Sequence, residues 1–269
     1  MSTKIKKIGV LTSGGDSPGM NAAIRAVVRA CAYYNIECVG IYRGYQGMIE
    51  GDFKEMGPRD VKNIINKGGT ILKSARSADF RTSEGRKKAY DNLVAAGIDS
   101  FVVIGGDGSF TGAEIFNEEY GFPVIGIPGT IDNDIYGTSH TLGYDTALNT
   151  VIDAIDKIRD TANSHNRLFF VEVMGRDAGH IALNAGIGAG AEEILIPEED
   201  FGLDRLVESL KRSKGSGKTS SIVVVSEGDK IGKNVFELKD YIEENMPEYD
   251  VRVSVLGHMQ RGGSPSCFD

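Results

Sequence analysis

The chain contains no tryptophan, only three cysteines and only seven prolines in 269 residues. Cys31, Cys38 and Cys267 are too few for a disulfide framework and lack metal-ligand spacing. That leaves them as small buried hydrophobes of a reducing compartment. Long hydrophobic runs are missing too. In the N-terminal MSTKIKKIGVLTSGG only IGVL intervenes before polar residues resume, so neither a signal peptide nor a membrane span is expected. A cytoplasmic protein with no membrane partner is the expectation. Positive charge is in deficit, with 30 Lys and Arg against 38 Asp and Glu and a formal net charge of -8. A nucleic-acid partner draws on clustered cations, so that balance argues against one, while a local arginine cluster could still hold a small anion.

What the chain has in excess is glycine, 35 residues, many of them paired at the ends of apolar runs. Such glycines point to backbone approached closely by a ligand, with phosphate high on the list. The length fits one large or two moderate domains. Short β-rich runs alternate with amphipathic stretches. Strands are predicted over Ile5–Leu11, Glu37–Ile41, Phe101–Ile104, Val124–Ile127, Leu168–Val173, Ile194–Ile196, Ile222–Val225 and Val251–Leu256. Helices are predicted over Met20–Tyr33, Arg86–Ala96, Thr146–Thr161, Leu203–Arg212 and Val235–Glu244. In Thr146–Thr161 the residues Val151, Ile152, Ile155 and Ile158 form one apolar face. The alternation predicts an α/β fold with mainly parallel sheets and right-handed crossovers.

In such sheets ligands sit beyond the carboxyl ends of strands, and the unusual residues fall there. A glycine and aspartate cluster comprises SGGD after the first strand, GGDG after the Phe101 strand and GTIDND after the Val124 strand. A second cluster, Met174-Gly175-Arg176, Glu227 and His258 to Arg261, follows later strands. Two chemistries predict two Rossmann-like lobes with the active site in the cleft between them. The expected boundaries are 1–140 for one lobe, with 259–269 returning to it, and 141–258 for the other. GSGKTS at 215–220 fails as a P-loop, because Arg212 stands where the leading glycine belongs and the segment precedes a strand. GIGAGA at 186–191 lacks the leading strand of a dinucleotide fingerprint. His140, His165 and His180 carry no spacing signal.

TSGGDSPGMNAAIR at 12–25 runs from a strand through Gly14-Gly15 into a helix whose first turn can face an anion. A tight turn needing glycine explains it equally well. IGGDGSFTGA at 104–113 repeats the design as a second glycine loop, with Asp107 placed to hold Mg²⁺ beside a phosphate chain. PVIGIPGTIDND at 123–134 then aims a hydroxyl and two carboxylates beyond a strand, where packing asks for none. Phosphoryl transfer needs a phosphate cradle, charge neutralisation and an acceptor for the nucleophile's proton. Asp132 suits the base, Thr130 would orient the moving group, and Asp134 would hold the loop or bind metal through water. Arg167, Arg176, Arg252 and Arg261 lie next to strand ends; with His258 and Glu227 they favour an anionic, hydroxylated acceptor such as a sugar phosphate.

The segments KKIGVLTSGGDSPGMNAAIR, GGTILKSAR, VVIGGDGS, PGTIDND, VEVMGR and VLGHMQRGGSP, in that order from residue 6 onward, resemble ATP-dependent 6-phosphofructokinases of the short bacterial type. The resemblance implies transfer of the ATP γ-phosphoryl group to the 1-hydroxyl of fructose 6-phosphate, with Mg²⁺. It implies that Gly15, Arg76, Ser77, Gly106, Asp107, Gly108 and Ser109 contact ATP, Asp107 also taking the metal. Asp132 is then the general base, with Thr130 and Arg176 beside it. Thr130, Ile131, Asp132, Met174, Gly175, Arg176, Glu227, His258 and Arg261 would bind the sugar phosphate. Arg167 and Arg252 would reach it from a neighbouring subunit, which implies a homo-oligomer, a dimer of dimers by the family pattern.

Pyrophosphate-dependent relatives carry Asp after GGD and Lys before TIDND, where this chain has Gly108 and Gly129. Glycine at 108 leaves room for an adenosine-bearing phosphate, so ATP is the expected donor. Arg25, Arg29, Arg159, Glu192 and Lys218 match positions that bind ADP or phosphoenolpyruvate as effectors in bacterial family members. Pro58, Asn63 and Ser216 replace the arginine, aspartate and basic residue expected there, so weak or altered ADP activation is anticipated. The family also continues several dozen residues past RGGSP, whereas this sequence ends at Asp269. Those residues would normally complete the nucleotide lobe and its hinge, and their loss could cost stability or activity even with every site residue intact.

Overall fold

The computed structural model describes residues 5–199, 202–215, 220–230 and 234–269. The chain divides into two compact units. One runs to Ile131 and includes Ile135–Gly143 and Arg261–Asp269; the other comprises Asp132–Asp134 and Tyr144–Gln260. Among the described residues no helix is long and apolar enough to cross a membrane.

The first unit holds β1 (Lys7–Thr12), α1 (Met20–Tyr33), β2 (Glu37–Ile41), α2 (Gly44–Glu50), β3 (Phe53–Glu55), α3 (Ser83–Ala95), β4 (Ser100–Gly105), α4 (Asp107–Tyr120) and β5 (Val124–Pro128). Its sheet has the order β3-β2-β1-β4-β5, parallel except for β3. Period-2 alternation assigns neighbouring residues to opposite faces. Leu11, Phe101 and Val103 join a core with Met48, Phe80 and Phe116, while Val10, Val102 and Ile104 join one with Met20, Ile24 and Val28 of α1. β4 is buried along its whole length, as a central strand covered on both faces must be.

The second unit holds α5 (Tyr144–His165), β6 (Arg167–Val173), α6 (His180–Gly188), β7 (Glu193–Leu195), α7 (Gly202–Gly215), β8 (Ser221–Ser226), α8 (Val235–Asn245) and β9 (Asp250–Val255). Its sheet is wholly parallel, order β7-β8-β6-β9. Leu168, Phe170, Val223 and Val225 meet Leu206 and Leu210 of α7 and Leu238 and Ile242 of α8 in one core. Val151 and Ile155, from the apolar stripe expected on α5, are fully buried.

All eight expected strands and five expected helices form, with ends shifted by up to four residues. Three helices and one strand were not foreseen. The stretch read as a glycine loop at 104–113 is a strand-to-helix junction in which only Gly106 separates β4 from α4. α4 hides its period because Gly108 and Gly112 lie in its first half and only Ser109, Ala113 and Phe116 are buried. Most of the GSGKTS segment lies outside the described residues.

Candidate active site

Parallel pairing of β1 with β4 sets two turns of the first unit side by side. The Ser13 N–H donates to the Ile104 carbonyl at 2.9 Å, and a Cβ on Gly105 would lie 2.5 Å from the Ser13 carbonyl oxygen. Gly14 has φ +83°, a left-handed conformation that favours glycine. The fold therefore demands Gly14 and Gly105. It does not demand Gly106 or Gly108. A Cβ at 108 would meet nothing within 4 Å, and one at 106 only the Thr130 Cβ at 3.9 Å. No side chain caps α4, so its first turn presents N–H groups to that open space.

Asp107 opens α4 and is exposed. A carboxylate there suits the helix dipole, which explains its place without any metal. Among the described residues no three His, Cys, Asp or Glu side chains group as metal ligands. Mg²⁺ commonly uses one or two carboxylates and completes its shell with water and substrate phosphate, and one exposed Asp at an uncapped helix start with open space beside it fits that pattern.

Residues 70–77 dock onto the same turns. Thr12 Oγ1 bonds to Thr70 Oγ1 at 2.9 Å and donates to the Lys73 carbonyl at 2.9 Å, and Ser74 Oγ donates to the Gly14 carbonyl at 2.6 Å. Arg76 is exposed just beyond. The Ser77 hydroxyl is already engaged, donating to Gln46 Oε1 at 2.8 Å and accepting from the Phe80 N–H at 3.2 Å. Ser109 is buried. Arg261 returns to this unit and donates from Nη1 to the Asp16 carbonyl at 3.2 Å. A Cβ on Gly15 would stand 2.6 Å from that Nη1, so Gly15 leaves room for the guanidinium. The sequence reading placed these two residues on different substrates; the structure puts them in contact. Thr130 is nearly buried, and its carbonyl accepts from Thr141 Oγ1 at 2.6 Å; Ile131 is fully buried.

The chain enters the second unit at Asp132, two residues beyond Thr130. Asp132 is 2% exposed, with Oδ2 3.9 Å from Nη2 of Arg176, whose side chain is 66% exposed. Asn133 and Arg176 both hold left-handed backbone, at φ 53° and 56°. Such strain persists only where neighbours over-determine it. Here Glu227 Oε1 accepts from the N–H groups of Gly175 at 3.3 Å and Arg176 at 2.8 Å. A Cβ on Gly228 would lie 1.9 Å from the Arg176 carbonyl oxygen. The buried Met174 donates its N–H to Gln260 Oε1 at 3.2 Å. His258 is exposed on the short 3₁₀ turn Gly257–Arg261. Burial, aided by Glu227, pushes the Glu172 carboxyl above its ordinary range.

Arg167 and Arg252 share one partner, Asp250: Arg167 Nε donates to Oδ2 at 2.7 Å and Arg252 Nη1 lies 2.5 Å from Oδ1. The Arg167 hydrogen bond, helped by the Arg252 charge, holds the Asp250 carboxyl below its usual range. Arg167 begins β6, and the Met174–Arg176 turn follows its end. At about 3.3 Å per residue, those seven residues put roughly 20 Å between them. Of the effector positions, Arg25 Nη1 donates to the Val61 carbonyl at 3.0 Å, and Arg29 is exposed on the same helix. Arg159 Nη2 donates to the Ala189 and Gly190 carbonyls at 2.5 and 3.1 Å, and Glu192 Oε2 accepts from the Ile222 N–H at 2.6 Å. Lys218 lies outside the described residues.

Sequence reasoning passed over Gln260 and Glu172. Each lies inside a quoted motif, HMQRGG and VEVMGR, but only Glu172 interrupts an apolar run, and that alone does not show whether it is buried.

The family model described as Phosphofructokinase matches residues 7–269. The ATP-dependent 6-phosphofructokinase 2 of Bacteroides thetaiotaomicron is 58% identical over 98% of this chain and 81% of its own length. ATP-dependent 6-phosphofructokinase 1 of Thermus thermophilus is 57% identical over 98% of this chain and 82% of its own. The phosphofructokinase structure from Saccharomyces cerevisiae superposes with a TM-score of 0.91 at 41% identity, covering 97% of this chain and 39% of that one. A pyrophosphate-dependent phosphofructokinase from Marinobacter aquaeolei, 23% identical with a TM-score of 0.83 over 96% of this chain and 69% of its own, shares the fold. The chain belongs to the phosphofructokinase family.

Proposed function

We infer that the chain transfers the γ-phosphoryl group of ATP to the 1-hydroxyl of fructose 6-phosphate, giving fructose 1,6-bisphosphate. The observation that carries the chemistry is Asp132, a carboxylate buried where the chain passes from the glycine-cradle unit into the unit of Arg176. It is the group suited to accept the hydroxyl proton as the new P–O bond forms. Arg176 stands on the same carboxylate and is exposed enough to swing toward a phosphoryl oxygen. Thr130, two residues back, offers its hydroxyl to the moving group.

The donor phosphates would lie over Gly15 and Gly106 to Ser109, with Arg76 alongside and Mg²⁺ on Asp107. That ion, when bound, neutralises phosphate charge. Ser77 serves through its backbone and its brace on the 77–80 turn, because its hydroxyl is taken. Met174, Gly175, Arg176, Glu227, His258 and Arg261 would hold the sugar phosphate. Glu227 already commits one oxygen to the Arg176 turn, leaving Oε2 for a sugar hydroxyl. Arg167 and Arg252 stand too far along their strands to serve their own Arg176, which supports their acting on a second copy in a homo-oligomer. A modest response to ADP or phosphoenolpyruvate through Arg25, Arg29, Arg159, Glu192 and Lys218 completes the reading, as does a cytoplasmic location.

The open space at Gly108 favours ATP over pyrophosphate, since nothing in the protein requires glycine there. A noncatalytic sensor would need neither a buried base nor its arginine. A coupled assay with Mg²⁺ and fructose 6-phosphate tests the reading. Turnover with ATP is expected, and turnover with pyrophosphate alone would overturn it.

A further inference from the structure

Gln260 is a fully buried polar side chain to which the reaction so far gives no part. It sits on the Gly257–Arg261 turn, between His258 and Arg261. Its carboxamide joins two backbone groups, with Oε1 accepting from the Met174 N–H at 3.2 Å and Nε2 donating to the Gly257 carbonyl at 3.0 Å. One neighbour can only donate and the other can only accept, so the amide has a single sensible orientation. Packing alone would be served by an apolar side chain of the same length. A buried amide is retained at a desolvation cost that only these two bonds offset.

Met174 opens the turn that ends in the left-handed Arg176, and Glu227 takes the next two N–H groups of that turn. Three consecutive backbone N–H groups, 174 to 176, are therefore each held by a side chain. Glu227 comes from just beyond β8, and Gln260 from the segment that carries His258 and Arg261.

We propose that Gln260 is a positioning residue for the acceptor side of the reaction: its carboxamide locks the segment presenting His258 to the turn presenting Arg176. The proposal rests on the reading of those residues as sugar-phosphate ligands. His258 and Arg176 are then held by one hydrogen-bonded frame, and a small misplacement of either is expensive.

Steady-state kinetics of the full chain test this with Gln260→Met and Gln260→Glu. Gln260→Met keeps length and burial but removes both bonds. It is expected to raise KM for fructose 6-phosphate roughly tenfold, to leave KM for ATP nearly unchanged, and to lower the melting temperature by a few degrees as the Met174 N–H and Gly257 carbonyl lose their partner. In Gln260→Glu the ionised carboxylate still accepts from Met174 but faces the Gly257 carbonyl with no proton to offer. As pH falls and the buried carboxyl gains its proton, it can donate to Gly257 again. KM for fructose 6-phosphate, taken relative to wild type at each pH, is then expected to recover. A merely structural role would lower the melting temperature but move both KM values alike and show no such recovery. Equal rises in both KM values, or an unchanged fructose 6-phosphate KM in both variants, overturn the proposal. Arg176→Ala separates the two levels of the argument. If it too leaves that KM unchanged, the acceptor-site reading is at fault; if it raises KM while Gln260→Met does not, only the role of Gln260 fails.

Discussion

Gly108 and Gly14 lie near one another in the chain's glycine-rich turns yet are glycine for different reasons. Gly14 must be, because its φ is +83°; Gly108 need not be, because a side chain there would enter open space. Gly108→Asp should therefore fold normally, with a melting temperature within a few degrees of wild type. The added carboxylate would face the donor phosphates, and KM for ATP should rise by about tenfold, the effect of roughly 1.4 kcal/mol of like-charge repulsion. Parallel melting and ATP titration check both halves, and an unchanged KM would remove the donor from this turn. At this scale the sequence is legible where a residue type has no packing excuse: Asp132 beyond an apolar strand was one such case. Gln260 and Glu172 were not legible, because sequence does not say whether a polar side chain finds a buried partner or points to water.

The turn between β6 and α6 is built from backbone that few sequences tolerate. Arg176 at φ 56° is admitted because Gly228, after β8, lets its carbonyl approach to where a Cβ would stand 1.9 Å away. Gly228→Ala should displace that carbonyl and with it the Arg176 side chain. The expected result is a large rise in KM for fructose 6-phosphate, with a stability loss of about 1–3 kcal/mol from overpacking. Urea unfolding and acceptor kinetics measure the two, and normal values for both would show that the turn has slack. No pattern in the sequence flags this glycine, since the clash it avoids comes from a residue 52 positions earlier. β3, α2 and α6 were missed for a related reason: they are short, and glycines at 44, 47, 186 and 188 weaken the helical period. Strands fared better because parallel, doubly covered strands such as β4 and β8 read as unbroken apolar runs.

At the level of the whole molecule, the chain crosses between its two units four times, and two of the crossings, at Ile131/Asp132 and at Gln260/Arg261, fall within quoted motifs. Both passages were visible as motifs, PGTIDND and HMQRGG, although nothing in their composition marks a unit boundary. Arg252 pairs with Phe169, so four residues of β6 lie between its level and the Met174–Arg176 turn, a separation that predicts complementation between chains. Arg176→Ala and Arg252→Ala should each be nearly inactive alone, and mixed subunits should regain a fraction of wild-type activity as intact composite sites form. No recovery on mixing would place Arg252 outside any shared site. The central claim is that one carboxylate, where the chain first enters the second unit, takes the proton from the acceptor alcohol. The most direct measurement is kcat and fructose 6-phosphate affinity for Asp132→Ala beside wild type. The account predicts a fall in kcat of about 10²–10⁴-fold with affinity changed only slightly; a kcat equal to wild type would contradict it.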